Sequence, residues 1–447
     1  MNGKFLELSQ MLEQHPLLNA EMSDRVRYIK FLSYAVEKYA EKEDWAIASL
    51  KLYTKKLLGE EPHFLSSNFD VQKDGKKVLA TRFKPFCFWT HRYYFAIDSI
   101  FLCAYENKET GKLIFSEIEA LSPKRAKQKL EVLFDYIYSD GITAQHDLPE
   151  GIEYFKKCWD ENRVFLAGNP IKILITATMS AGKSTLINAI IGKKINRTQN
   201  EACTAKIHCM VDKAYEDGFV YKLDSGLNLD ADQQTLMLDD EKNLSNWITV
   251  GTYFRTLGKP SRRLWLMDTP GVNSSQNKEH KQITEQAIQG IHPDLLILLL
   301  NGTSIGTEDE RRHLLFLSQN YHGKTLFVVN KLDTFQKEED SIPETLQLVR
   351  EDLNRLGFEE AMVVPVSAYA AYLAKIKLFG GTLNEDEEDD LGFLSRKMKR
   401  TEYQLDRYYP ESVQIRLERE NEEEKLLLHS GILHLEHMIY NLGGKEQ

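Results

Sequence analysis

The chain has 447 residues, of which 42% are hydrophobic and 28% are charged, and its formal net charge is −10. This composition is ordinary for a soluble globular protein of two or three domains. The negative charge argues against broad binding to nucleic acid, so we expect no nucleic-acid partner. Five cysteines without a disulfide framework, and an N-terminus without a signal-peptide pattern, predict a cytoplasmic protein. No apolar run approaches the roughly 20 residues that a membrane-spanning helix needs.

Residues 1–147 are predicted to form a smaller N-terminal domain that is α+β or mostly helical. A helical stripe occurs in "DRVRYIKFLSYAVEKYAEK". Strands are predicted for the aromatic and β-branched stretches "KKVLATRF", "YYFAIDSIFLCAY" and "GKLIFSEIEAL", with a hairpin turn in "ENKETG" between the last two. A helix is predicted to resume at "SPKRAKQKLEVLFDYIY". No motif in this domain indicates its role.

Residues 148–447 are predicted to form a doubly wound α/β domain. From about residue 165, short apolar runs such as "IKILIT", "RLWLMD", "DLLILLLN", "KTLFVVN" and "AMVVPVSA" alternate with helical patterns. Most runs are apolar on both faces, which is typical of strands buried in a parallel sheet. Ligands in such folds lie at the carboxyl ends of the strands, and each motif below falls at such an end.

The stretch "ATMSAGKSTL" follows the first of these strands and opens a helix, which is the context of a phosphate-binding loop. Lys183 would reach the β- and γ-phosphates, and Ser184 would bind Mg²⁺. The residues expected to surround the phosphates are Ala181, Gly182, Lys183, Ser184 and Thr185. The first position of such a loop is usually glycine, but here it is Ala177. We expect a slightly altered turn rather than a lost site.

Later strand ends supply the rest of a guanine-nucleotide site. Asp268 and Gly271 have DxxG spacing, so Asp268 would contribute to the Mg²⁺ shell and the Gly271 N–H would meet the γ-phosphate. Between this motif and the phosphate loop, Thr204 is the candidate switch threonine and a further Mg²⁺ ligand. The base-binding residues are expected to be Asn330, Lys331, Asp333, Ser367 and Ala368. In this set, Asp333 would accept two hydrogen bonds from guanine that adenine cannot offer.

The stretches "MSAGKSTLINAIIG", "DTPGVNSSQNKEHKQIT" and "NKLD" resemble the dynamin-like large GTPases, bacterial members especially, over roughly residues 165–447. The resemblance implies a P-loop GTPase (G) domain in which Ser180, Lys183 and Thr204 are catalytic. It also implies a monovalent cation near Ser180 and a homodimer formed through the G domains. Residues used in that pairing would lie in "NGTSIGTEDE". We expect "SGILHLEHMIYNL" to be the final helix of the G domain, with no evident stalk.

The sequence therefore predicts GTP and GDP as ligands and Mg²⁺-dependent GTP hydrolysis. Two alternatives remain open. The chain could be a slow-turnover GTP switch whose N-terminal domain engages an unknown protein partner. It could also be a membrane-remodelling GTPase that needs a partner, and membrane contact is left open on this basis.

Overall fold

The computed structural model describes most of the chain. Its described residues are 12–40, 44–59, 86–104, 107–120, 122, 124–139, 151–178, 180–195, 206–238, 247–257, 262–270, 278–336, 338–413, 415, 417 and 421–443. The chain divides into two compact units. The helical unit comprises Met1–Gly168, Ala214–Tyr221 and Gly226–Asp230, and the sheet unit comprises Asn169–Lys213, Lys222–Ser225 and Ala231–Gln447. The helical unit thus extends beyond residue 147, where the sequence suggested a domain boundary.

The helical unit is built from six described helices around an aromatic core. They are α1 (Met22–Tyr39), α2 (Asp44–Leu58), α3 (Phe86–Cys103), α4 (Lys108–Ala120), α5 (Lys124–Tyr138) and α6 (Ile152–Ala167), and a 3-10 turn (Pro16–Asn19) precedes α1. Phe101 of α3 stacks on Trp159 of α6 with ring centroids 4.6 Å apart. Offset aromatic pairs of this kind add packing energy beyond the area that they bury.

The strands predicted in the N-terminal region are wrong where the structure describes them. "YYFAIDSIFLCAY" lies largely in α3 and "GKLIFSEIEAL" lies in α4. Residues 96–102 of α3 are buried without interruption, so this part of the helix is buried on all sides and has no exposed polar stripe. In the predicted hairpin turn, Asn107 instead caps α4, since its Oδ1 accepts the Thr110 N–H at 3.1 Å. The stretch "KKVLATRF" lies outside the described residues.

A buried carboxylate joins four parts of the helical unit. Asp98 of α3 accepts hydrogen bonds from Tyr28 at 2.5 Å, from Tyr53 at 2.8 Å and from the His15 Nε2 at 2.9 Å. The Leu17 N–H donates to the His15 Nδ1, so the imidazole is the neutral tautomer with its proton on Nε2. Three donors around one carboxylate offset its burial and fix the packing of α1, α2 and α3.

Two pieces of the chain between the second and fifth strands complete the helical unit. Phe219, Leu227 and Leu229 pack against its hydrophobic core. The Lys55 ammonium donates to Asp230, and the Tyr215 hydroxyl donates to Glu161. The core of this unit is therefore completed by residues from two later pieces of the chain, Ala214–Tyr221 and Gly226–Asp230, beyond the Gly168 end of its first piece.

The sheet unit contains the parallel sheet that the sequence predicts. Its main strands are β1 (Ile171–Ala177), β2 (Ile207–Asp212), β5 (Trp247–Thr252), β6 (Leu264–Asp268), β7 (Leu295–Asn301), β8 (Thr325–Asn330) and β9 (Met362–Pro365). Two short strands, β3 (Tyr221–Leu223) and β4 (Leu227–Asn228), lie between β2 and β5 in the chain, and β4 falls within the piece Gly226–Asp230 of the helical unit. The main strands are ordered β5-β2-β6-β1-β7-β8-β9. All neighbouring pairs among them are parallel except β2 with β6. Every residue of β7 is buried, as expected for a central strand covered on both faces.

Helices alternate with these strands, so the fold is the predicted α/β class. They are α7 (Lys183–Ile191), α8 (Gln233–Met237), α9 (Lys278–Gly290), α10 (Glu308–Asn320), α11 (Ile342–Arg355), α12 (Ala368–Leu378), α13 (Glu385–Met398), α14 (Glu422–His429) and α15 (Ile432–Gly443). Three 3-10 turns occur at Leu332–Thr334, Thr401–Tyr403 and Leu405–Tyr408. No helix within the described part of the chain has both the length and the apolar character needed to cross a bilayer.

Candidate nucleotide-binding site

The candidate phosphate loop runs from the end of β1 to the start of α7. Ala177 is the last residue of β1 and pairs with Leu299 of β7 in ordinary strand conformation. The left-handed backbone angles fall later in the loop, with φ of 62° at Ser180 and 90° at Gly182. The alanine in place of the usual glycine therefore needs no left-handed backbone, and the predicted change of turn at Ala177 is not needed.

Gly182 is the loop position that only glycine suits. A Cβ atom placed there would lie 2.5 Å from the Nδ2 atom of Asn330, closer than any real contact of this kind. Its left-handed backbone also opens α7, whose first turn carries Lys183, Ser184 and Thr185. These N-terminal N–H groups have no partners within the helix, and such groups commonly bind phosphate.

Asn330, at the end of β8, connects three of the predicted motifs. Its Nδ2 donates to the carbonyl of Ala181 at 2.9 Å, and its Oδ1 accepts the N–H of Ala368 at 3.0 Å. The side chain is buried, so both bonds are shielded from water. The phosphate loop, the NKxD loop and the Ser367-Ala368 loop are thus held at one edge of the sheet by a single amide.

Lys183 and Asp268 meet in the same site although 85 positions separate them in the sequence. The Lys183 ammonium donates to the Oδ1 of Asp268, and both side chains are largely buried. Asp268 ends β6, beside β1, and the Thr269 hydroxyl donates to the carbonyl of Ile175 at 3.1 Å. This edge of the sheet therefore carries the Lys183 ammonium, the Asp268 carboxylate and, in the first turn of α7, Ser184 with its hydroxyl.

Asp333 lies in a 3-10 turn just after Lys331, whose φ is 67°. The Asp333 carboxyl is buried, and this burial raises its pKa. A hydrogen bond with the Ser367 hydroxyl and the positive charges of Lys397 and Lys331 act in the opposite direction and lower the pKa. The arrangement holds a hydrogen-bond acceptor in a buried position.

Lys397 and Tyr403 contact this turn and were not singled out from the sequence. The ammonium of Lys397 donates to the carbonyls of Asp333 at 2.6 Å and of Phe335 at 2.7 Å. The Tyr403 hydroxyl also donates to the Phe335 carbonyl, at 3.3 Å. In sequence, "SRKMKR" reads as the ordinary basic end of a helix, so nothing in the pattern distinguishes Lys397 from its neighbours.

The loop after β7 is organised by its own side chains. The Asn301 Oδ1 accepts the N–H of Thr303 at 3.2 Å and its hydroxyl at 2.9 Å. Thr307 caps α10, since its hydroxyl accepts the Glu310 N–H at 3.3 Å. The Glu310 carboxylate accepts the N–H of Gly306 instead of that of Thr307. Thr303 and Ser304 remain exposed at the surface.

Two predicted site residues, Thr204 and Gly271, lie outside the described residues. Of the rest, the structure places Ala181, Gly182, Asn330 and Ala368 in one hydrogen-bonded group and pairs Lys183 with Asp268. Ser184 and Thr185 occupy the first turn of α7, and Ser180 is exposed at the loop surface. Lys331, Asp333 and Ser367 lie at the neighbouring base-binding loops.

Residues 173–332 match the model of the dynamin family. Over 209 residues, or 46% of this chain, the sequence is 27% identical to a protein of Arabidopsis thaliana described as a probable transmembrane GTPase, FZO-like, chloroplastic. The chain covers 20% of the length of that relative.

Three solved structures cover about half of this chain. Aquifex aeolicus Era bound to GDP and AlF4⁻ is 19% identical and has a TM-score of 0.27, and the match covers 48% of this chain and 57% of Era. The elongation factor SelB of Methanococcus maripaludis is 16% identical with a TM-score of 0.28, covering 48% of this chain and 34% of SelB. The G domain of the T. maritima iron transporter FeoB is 15% identical with a TM-score of 0.26, covering 50% and 98%.

The match to the family model begins in β1 and ends just after Lys331, so it contains the phosphate loop, the DxxG strand and the start of the NKxD loop. Residues 173–332 are therefore similar to the dynamin family over the stretch that carries these motifs.

Proposed function

We propose that this chain binds GTP and hydrolyses it with the help of Mg²⁺. The observation that carries the proposal is the double hydrogen bond of Asn330, which joins the phosphate loop to the loop that would face the base. Asp333, buried beside Ser367, would accept the N1–H and the 2-amino group of guanine. Adenine offers no such pair of donors, so the site favours GTP over ATP.

Lys183 and the N-terminal N–H groups of α7 would bind the phosphates. The residues present suit a Mg²⁺ ion, because the Ser184 hydroxyl and the Asp268 carboxylate supply the oxygen ligands that this ion prefers. Thr204 would complete the set. When bound, the ion would neutralise charge that develops on the phosphates. Lys183 would then exchange its contact with Asp268 for contacts with phosphate oxygens.

The proposed base selectivity is tested by Asp333→Asn. The substitution replaces one of two acceptors with a donor, which suits the carbonyl at the 2-position of xanthine. We expect GTP affinity to fall by at least about 100-fold and xanthosine triphosphate to become the better ligand. Competition binding with GTP, ATP and xanthosine triphosphate measures both effects. Equal binding of ATP and GTP by the unsubstituted protein would contradict the proposal.

Turnover requires a separate measurement, because a tight GTP switch would pass the binding test. We expect phosphate release under multiple-turnover conditions that depends on added Mg²⁺. Lys183→Ala should abolish nucleotide binding itself. Binding without any multiple turnover would favour a switch over an enzyme.

The proposal extends to location and self-association. The proposed location is the cytoplasm, because the five cysteines show no disulfide framework in the sequence. A homodimer through the G domains is also proposed, on the basis of the family resemblance. The exposed Ser180 and the exposed loop after β7 support it, since both are accessible at the surface.

A further inference from the structure

The carboxyl end of α13 and the 3-10 turn that follows it hold the loop that contains Asp333. Lys397 contributes two hydrogen bonds to that loop, through the carbonyls of Asp333 and Phe335. Tyr403, which is buried, adds a third to the Phe335 carbonyl. The loop bearing the base acceptor is thus attached to a helix that lies outside all of the recognised nucleotide motifs.

Two aromatic rings also lie close to the ammonium of Lys397. It lies 4.6 Å from the ring centroid of Tyr403 and 5.9 Å from that of Phe393. A cation over an aromatic face is attracted to it, and the contact limits the rotamers of the long lysine side chain. Lys397 is therefore fixed before any ligand arrives.

The charges around Lys397 affect the ionisation of Asp333. Burial lowers the pKa of Lys397, the carboxylates of Asp333 and Asp340 raise it, and Arg400 lowers it. Burial raises the pKa of Asp333, and the hydrogen bond with Ser367 and the charges of Lys397 and Lys331 oppose that rise. Burial alone would favour the protonated carboxyl of Asp333, which has only limited acceptor capacity for the two guanine donors.

We propose that Lys397 is a positioning residue for guanine recognition, which holds the Asp333 loop in place and brings a positive charge to it. This inference rests on the proposed function. It assigns part of the base selectivity to α13, a helix that follows the last nucleotide motif. Its two components, tethering and charge, can be separated, because Tyr403 contributes only tethering whereas Lys397 contributes both.

The test compares four variants of the full chain. Lys397→Met removes tether and charge, Lys397→Arg keeps the charge and donors, and Tyr403→Phe removes one hydrogen bond without changing charge. Lys377→Met is the matched control, because Lys377 of α12 forms an exposed ion pair with Glu388 of α13, away from the Asp333 loop. The dissociation constants of GDP and ADP are measured for each from about pH 5 to pH 9.

We expect Lys397→Met to weaken GDP binding by about ten-fold at neutral pH. Its binding should also be lost at a higher pH than in the unsubstituted protein, since Asp333 would protonate more readily. Tyr403→Phe should weaken GDP binding by a smaller factor and leave the pH midpoint unchanged. Lys397→Arg and Lys377→Met should behave like the unsubstituted protein.

The inference is overturned if Lys397→Met binds GDP within about two-fold of the unsubstituted protein with the same pH midpoint. It is also overturned if Lys397→Met and Tyr403→Phe lower affinity equally without any shift of the midpoint, because the role would then be purely structural. If Lys397→Met does not fold, the same decision falls to Lys397→Gln, which keeps one donor but lacks the charge. The proposed function itself would fail if the unsubstituted protein bound ADP as tightly as GDP, and this outcome is independent of the variants.

Discussion

Ser180 lies in the phosphate loop, two residues before Gly182. Its backbone is left-handed and its side chain is exposed. Many small GTPases place a glutamine just after the DxxG motif to orient the attacking water. The corresponding position here is Val272, whose side chain neither donates nor accepts hydrogen bonds. Another group must therefore act on the charge that develops between the β- and γ-phosphates, and the Ser180 hydroxyl is the candidate.

We expect Ser180→Ala to lower the turnover number by about 100-fold or more while GTP affinity changes by only a few-fold. An interaction made only in the transition state affects turnover without affecting ground-state binding. Single-turnover hydrolysis and equilibrium binding measure the two quantities. The control is Ser180→Gly, which removes the same hydroxyl but suits the left-handed backbone. If the two variants differ widely in turnover, backbone strain and not the hydroxyl would be responsible.

Gly182→Ala should abolish nucleotide binding. The added methyl group would collide with the Asn330 amide that holds the phosphate loop, and the φ of 90° disfavours any side chain. Gly306→Ala is a matched control, because Gly306 also has a positive φ of 78° but has open space around it. We expect at least about 100-fold weaker GDP binding for Gly182→Ala and nearly normal binding for Gly306→Ala. Similar affinities of the two variants would show that the contact with Asn330 is unimportant.

At the scale of elements, a buried ion pair connects the helix of the phosphate loop to the C-terminal helices. Lys375 of α12 donates to the Ile190 carbonyl near the end of α7 at 3.0 Å, and it also donates to Glu436 of α15. Neither side chain has more than 5% of its surface exposed. Burial lowers the pKa of Lys375 and raises that of Glu436, while each charge opposes the effect on its partner.

Lys375→Met should therefore lower the free energy of unfolding by about 3 kcal/mol, because it leaves the Glu436 carboxylate buried without its cation. The double variant Lys375→Met with Glu436→Leu should recover part of this loss. Lys377→Met, two residues along the same helix at an exposed ion pair, should change the free energy of unfolding by less than about 1 kcal/mol. Urea unfolding measures all three, and equal destabilisation by Lys375→Met and Lys377→Met would contradict the argument.

The elements of the sheet unit are predictable from sequence because their signals are strong and mutually consistent. Fully apolar runs such as "LLILLL" become β7 and its neighbours, and each motif follows a strand. What the sequence could not reveal is the long-range cross-linking at the site. No local pattern shows that the Asn330 amide bonds to Ala181 and Ala368, or that Lys397 reaches back 64 positions to Asp333.

The elements of the helical unit were harder to predict for a physical reason. A helix buried on all sides has no polar face, so α3 lacks the period that separates helix from strand. In α4 the period was present, with Gly111, Ile114, Phe115 and Ile118 buried at helical spacing. The enrichment of this stretch in β-branched and aromatic residues favours a strand, but the helical spacing of its buried residues is the better guide.

At the scale of the whole molecule, the helical unit is not a simple N-terminal extension. It includes Ala214–Tyr221 and Gly226–Asp230, which follow the candidate phosphate loop and the Thr204 region in the chain. A fragment cut at residue 168 would lack Phe219, Leu227 and Leu229, which pack against the core of the helical unit.

We therefore expect a fragment of residues 1–168 to be less stable than the same unit within the full chain. The lost contacts are apolar, and burying a side chain of this size contributes roughly 1.5–3 kcal/mol. The thermal midpoint of the helical signal, followed by circular dichroism in fragment and full chain, measures the difference. A fragment that unfolds at the same temperature as the full chain would show that these two pieces are dispensable for the helical unit.

Self-association is the remaining property at this scale. The resemblance to dynamin-like GTPases implies pairing of G domains across the nucleotide, and the exposed loop after β7 is where the family carries pairing residues. We expect GDP with aluminium fluoride, which mimics the transition state, to favour a dimer. The specific GTPase rate should rise with protein concentration, since each copy would complete the site of the other.

Ser304→Lys tests this pairing directly. Ser304 is exposed in the loop after β7, so a lysine there should leave the fold intact but place like charges opposite each other across a symmetric interface. Leu348→Lys, at a position of α11 that is 58% exposed, is the matched control for added charge. Light scattering with GDP and aluminium fluoride should show a dimer for the unsubstituted protein and for Leu348→Lys, and a monomer for Ser304→Lys. Ser304→Lys should also abolish the concentration dependence of the specific rate, because that dependence requires the dimer. A monomer in all three proteins would rule out pairing under this mimic.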